Sequence, residues 1–127
     1  MTEFDFSRQR RLLSAGDYRR VFDKADYKVS DQHLLILARQ VKTNPEAPAS
    51  SRLGLVIAKK HVKHAVDRNR IKRIARETFR TQEPPFEPAI DIVILARKGL
   101  GDLDNAALHK VIGKQWRRLQ KKLRQSS

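Results

Sequence analysis

The chain has 127 residues, no cysteine, and 28 lysines and arginines against 14 acids, for a formal net charge of +14. That length suits one domain with a single core, and the lack of cysteine excludes disulfide scaffolds, thiolate metal sites and cysteine nucleophiles. Such a cation excess burdens the folded state with self-repulsion and points to a polyanionic partner, while the longest apolar runs, Leu34–Ala38 and Ile92–Ala96, are far too short for a membrane span.

In chain order, residues 1–13 read as a flexible or extended lead-in to a single domain over 1–127, and 125–127 as a tail. Met1–Phe6 lacks the basic-then-apolar order of a secretory signal, so a cytoplasmic location without a membrane partner is expected. A first helix starts at Ser14, with Asp17 three positions on as a variant capping box. Tyr18, Val21, Phe22 and Ala25 then share one helical face. His33–Val41 and Arg52–Ala58 read as strands, the first apolar enough to be covered on both faces. The segment 42–51, with Pro45 and Pro48, has loop composition, and the two strands are expected to pair as a long-looped hairpin. Val66–Arg80 is a helix, ended before Pro84, Pro85 and Pro88. Ala89–Arg97 is a third strand, closed by Gly99 and Gly101. Asp104 or Asn105 caps a last helix, Ala106–Arg124, with Leu108, Val111, Ile112, Gln115, Leu119 and Leu123 along one stripe. The order α-β-β-α-β-α predicts a compact α/β (α+β) two-layer sandwich.

Charge concentrates in two places. Lys59–Arg80 holds nine lysines and arginines against Asp67 and Glu77, and Lys110–Arg124 holds seven against no acid. For the last helix, a solvated face accounts for much of the run, because cations gather toward its C-terminal end. The central helix is different. Ile71, Ile74, Ala75 and Thr78 fall on one arc, and Arg68, Asn69, Lys72, Arg73, Arg76 and Arg80 on a neighbouring one, with Arg70 beyond. Arginine forks match phosphate oxygens, so this arc fits a nucleic-acid backbone. Tyr18 and Phe22, one turn apart, could wall a groove for splayed single-stranded bases, with Leu34 and Ile36 on one strand face as its floor.

Catalytic constellations are absent. The acids are scattered, and Asp102 with Asp104 is better explained by helix capping. His61 and His64 belong more naturally to the basic surface than to a metal site, and five glycines form no phosphate-binding loop.

The run Lys59-Lys60, Ala65-Val66, Arg68-Asn69-Arg70-x-Lys72-Arg73-x-x-Arg76 resembles the signature of the bacterial ribonuclease P protein subunit. Arg11-Leu12, the Asp17-Tyr18-x-x-Val21-Phe22 helix, the Ala96-Arg97-Lys98-Gly99 exit and the basic last helix follow in the same order. In this chain Tyr18 stands where phenylalanine is usual, His64 where a small or basic residue is commoner, and Ile36 where some relatives have an aromatic. The resemblance implies a fold like the second domain of ribosomal protein S5, with a left-handed β-α-β crossover. It implies an accessory subunit of an endoribonuclease that removes the 5′ leader of precursor tRNA. Mg²⁺ ions held mainly by a catalytic RNA would carry the chemistry, with no catalytic protein residue and no protein partner required. Arg68, Asn69, Arg70, Lys72, Arg73 and Arg76 would meet the RNA subunit and nearby phosphates. Tyr18, Phe22, Leu34 and Ile36, with Lys59 and Lys60 at the edge, would line the leader cleft. A structural ribosomal or general RNA-binding protein is the alternative.

Overall fold

The computed structural model describes residues 15–41, 51–82, 86 and 89–126. Its elements are α1 (Ala15–Asp23), β1 (Tyr27–Ser30), β2 (Leu34–Gln40), β3 (Arg52–Val56), α2 (Ala65–Arg80), β4 (Ile90–Ala96), a 3₁₀ turn (Leu100–Asp102) and α3 (Asn105–Ser126). The expected α/β order therefore holds, with β1 as an added edge strand. Ser14, the 42–50 segment and the three prolines after α2 lie outside the described residues. No helix among the described residues is long and apolar enough to cross a membrane.

The sheet runs β1-β2-β4-β3, which overturns the expected hairpin of the two apolar strands. β2 and β3 do not touch; β4 lies between them, antiparallel to β2 and parallel to β3. The reason is burial. All residues of β4 except Leu95 are buried, and so apolar a strand is most stable with a neighbour on each edge. The hairpin that does form joins β1 to β2 through Asp31–His33, where the His33 N–H donates to the Asp31 carboxylate (3.0 Å). Four residues of alternating Tyr-Lys-Val-Ser carry too little apolar signal to stand out as a strand.

α2 and α3 cover one face of the sheet. Ile71, Ile74, Ala75 and Phe79 of α2 meet Leu108, Ile112, Trp116, Leu119 and Leu123 of α3 over Leu34, Ile36, Ile92 and Ile94. Phe79, Phe86 and Trp116 pack with ring centroids 5.6–5.9 Å apart. The Trp116 indole donates to the Thr78 hydroxyl (2.8 Å), so its polar edge is satisfied inside the core. Of the two expected caps it is Asp104 that caps α3, accepting from the Ala107 N–H (2.8 Å). Gln115 is buried, and its amide nitrogen has no partner among the described residues. Gln115→Leu should therefore raise the unfolding free energy by roughly 1 kcal/mol in urea denaturation; a loss would mean that the bond its Oε1 accepts from Arg118 (2.8 Å) outweighs the unpaired nitrogen.

Candidate nucleic-acid interface

α1 lies alone across the other face of the sheet. Val21 is buried against Val93, and Tyr18, Leu37, Val56 and Leu95 close around the pair. The helix is held by charge as well. Arg52 on β3 donates twice to Asp91 on β4 (2.9 and 2.7 Å) and once to Asp17 on α1 (3.2 Å), which also accepts from Arg20 (2.7 Å). Asp17 and Asp91 are buried, whereas the Arg52 side chain is 31% exposed. Hydrogen bonding to Asp91, with the nearby carboxylate charges, outweighs desolvation and raises the Arg52 pKa above its ordinary value. Asp17 thus reaches across to the sheet, a role that local capping logic did not show.

Tyr18 stacks over Gly54, where a Cβ would lie 2.7 Å from the ring. Its hydroxyl accepts from the Leu55 N–H on the edge strand β3 (3.2 Å). A larger residue at 54 must displace the ring, so Gly54→Ala should cost about 1–3 kcal/mol of stability in a thermal melt. An unchanged melt would show that Tyr18 swings away freely. Phe22, one turn on, remains 44% exposed, the larger opening of the aromatic pair. Ala25 falls beyond the end of α1 and is exposed.

The expected floor is corrected. Leu34 and Ile36 are both 0% exposed and point into the helical core on the far side of the sheet. Side chains alternate along a strand, so the residues beneath α1 are Leu35 and Leu37, both half-buried. β2 is thus sealed on one face and only half-covered on the other. The apolar surface under α1 is built from Leu37, Val56 and Leu95, packed around Val21 and Val93.

β3 and β4 are parallel, so the turns after both strands and the starts of α2 and α3 gather at one end of the sheet. There a shallow basin is lined by Lys60, His61, Lys63, His64 and Lys98, with Asp67 and Asp102. Lys59 is exposed in the same turn. The positive ends of two helix dipoles add to the cations at this end of the sheet.

The cations of α2 do not form one open stripe. Arg68 donates to the carbonyls of Val62 and Lys63 (3.0 and 2.8 Å). Arg70 donates to the carbonyls of Leu103 and Gly101 (2.6 and 3.1 Å), to Asn105 Oδ1 and to Asp67 Oδ1 (both 3.1 Å). Both guanidinium groups therefore fasten the chain to itself. Asn69 and Arg73 are exposed, and Lys72 and Arg76 are half-buried. Helical winding correctly separates the apolar and basic arcs, but it does not register backbone carbonyls brought in by distant loops.

The sequence model of the family Ribonuclease P matches residues 6–120. The chain is 49% identical to the ribonuclease P protein component of Chromohalobacter salexigens over 127 residues, covering 100% of this chain and 94% of that protein. It is also 49% identical to the corresponding component of Pseudomonas aeruginosa over 119 residues, covering 94% of this chain and 84% of that one. The solved structure of the Staphylococcus aureus RNase P protein is similar with a TM-score of 0.71 at 26% identity, over 86% of this chain and 94% of that one.

Proposed function

The chain belongs to the bacterial ribonuclease P protein family, and on that premise we propose that it binds the catalytic RNA subunit and the single-stranded 5′ leader of precursor tRNA. In this reading it assists Mg²⁺-dependent hydrolysis of the phosphodiester that joins leader to tRNA. The observation that carries the proposal is the half-open face beside α1. There α1 carries an exposed Phe22 one position beyond Val21, whose buried side chain packs with Leu37, Val56 and Leu95, and the Lys59–Lys63 turn lies at one end of the same sheet. Aromatic and apolar walls take unstacked bases, and cations beside them take the phosphates.

The RNA-subunit face is assigned to Asn69, Lys72, Arg73 and Arg76, with Arg68 and Arg70 shaping the turn and helix that present them. Among the described residues no three His, Asp or Glu side chains converge to hold a metal ion. In this reading the Mg²⁺ ions are held mainly by the RNA subunit, and no step runs through a protein-held ion. The protein's part is to screen one polyanion from another and to add contacts to a leader that RNA alone holds weakly.

The test is cleavage of precursor tRNA by bacterial ribonuclease P RNA at low Mg²⁺, with and without the protein. Protein-dependent release of an intact leader, and no cleavage by protein alone, is the expected result. No stimulation by a folded, RNA-binding protein would favour the general RNA-binding reading. Phe22→Ala should weaken binding of leader-bearing precursor by roughly 1–3 kcal/mol. It should leave leaderless tRNA binding and the melting temperature unchanged, because Phe22 contributes little to the core. An equal loss for both RNAs would remove Phe22 from the leader site.

A further inference from the structure

We propose that the solvent face of α3 is a separate docking rail for the phosphate backbone of a double-helical RNA stem. Lys110, Lys114, Arg117 and Lys121 recur at i, i+4, i+7 and i+11 and are all exposed. At about 100° per residue they fall within roughly 60° of arc, along about 16 Å of helix. None of the four has an ion pair or side-chain hydrogen bond among the described residues. The helix contains no acid at all.

A solvated surface helix would place acids at i+4 to relieve this repulsion, because like charges at that spacing weaken a helix. The helix dipole favours cations only in the last turn, so it gives no reason for Lys110 and Lys114, which sit in the first half. The contrast with α2 is direct: Arg68 and Arg70 are spent on the chain's own carbonyls, whereas these four cations are uncommitted.

Charge complementarity names an anionic backbone, and the remaining chemistry selects among anions. Trp116, the one Phe, Tyr or Trp of α3, is 0% exposed, and the exposed His109 ring falls roughly 100° of winding away from Lys110, so no ring stands between these cations to stack unpaired bases. A paired stem, whose bases are turned inward and whose phosphates and riboses face out, needs none. The rail also carries no exposed apolar residue between its cations that could enter a lipid surface.

The experiment uses the full chain and two fluorescent probes, a blunt RNA hairpin stem of about 16 base pairs and a single-stranded RNA of leader length, titrated from roughly 50 to 200 mM salt. The variant carries Lys110→Gln, Lys114→Gln, Arg117→Gln and Lys121→Gln. A control of equal charge carries Lys24→Gln, Lys28→Gln, Arg39→Gln and Lys122→Gln. The rail variant should bind the stem roughly tenfold or more weakly, with a log–log salt slope shallower by about 3. Its affinity for the single strand should change by less than about threefold. It should melt no lower than wild type, since exposed repulsion is relieved and glutamine supports a helix.

Equal losses in the two variants would reduce the effect to net charge and overturn the proposal. So would unchanged stem binding, or a rail that matters only for phosphatidylglycerol vesicles. The inference shares with the proposed function only the claim that RNA is the ligand. Failure of wild-type protein to stimulate ribonuclease P RNA, with stem binding still dependent on the rail, would sink that function and leave the rail standing.

Discussion

Replacing Arg52 by methionine is expected to lower the unfolding free energy by about 2–3 kcal/mol. That corresponds to a melting temperature lower by roughly 8–15 °C for a domain of this size. Arg52 is the only described cation that bridges both Asp91 on the central strand and Asp17 on α1, and its removal strands the buried Asp91 carboxylate and leaves Asp17 without its tie to the sheet through Arg52, paired with Arg20. Loss of one member of a fully buried pair costs about 3–5 kcal/mol; solvent reaches the Arg52 side chain, which lowers the expectation. The combination of Arg52→Met with Asp17→Asn and Asp91→Asn should recover part of the loss, because no orphan charge remains. The Arg52 pKa is raised on folding, so its contribution is complete below the unfolded value and fades only as pH rises through the folded one. Arginine's contribution is therefore flat through neutral and moderately alkaline pH. A melt of Arg52→Met within about 2 °C of wild type would show that apolar packing alone holds α1 on the sheet. Because α1 carries Phe22, the same variant should weaken leader binding even under conditions where it stays folded.

Arg70→Lys is the second large effect, with an expected loss of about 3 kcal/mol despite unchanged charge. One guanidinium spans the carbonyls of Leu103 and Gly101, Asn105 Oδ1 and Asp67 Oδ1. A lysine ammonium is a point charge and does not reproduce a planar fork across four acceptors. At roughly 1.5–3 kcal/mol for each charged hydrogen bond lost, one or two unmade bonds suffice. The structural consequence is local: the 3₁₀ turn and the start of α3 detach from α2. Arg73 provides the comparison. It is exposed, so Arg73→Gln should leave the melt unchanged and weaken RNA-subunit binding with a shallower salt slope, by about one unit. The opposite pattern, an intact melt for Arg70→Lys with RNA binding reduced more than roughly tenfold, would place the Arg70 guanidinium on RNA.

Much of the fold and part of the interface were legible in the amino-acid order. Periodicity located α1, α2, α3, β2, β3 and β4 to within a few residues, and the cap at Asp104 followed from its side-chain oxygen. Net charge and its concentration on Lys59–Arg80 pointed to a nucleic-acid partner, and the Lys59–Arg76 signature narrowed the family. These are local properties, set by winding, alternation and composition, so one strand or one helix suffices to read them.

What only the tertiary structure decided are relations between distant segments. The run Leu34–Leu37 is apolar at every position, so alternation alone does not say which pair faces the helices. Packing under α2 and α3 buries Leu34 and Ile36 and leaves Leu35 and Leu37 beneath α1. The insertion of β4 between β2 and β3 arises because the most apolar strand gains most from two neighbours. Arg52, Asp17 and Asp91 lie far apart in sequence, as do Arg70 and Leu103, and a cation's partner is invisible until the chain closes the distance. Sequence counts the charges; only the folded chain separates those spent on its own carboxylates and carbonyls from those left for a phosphate backbone.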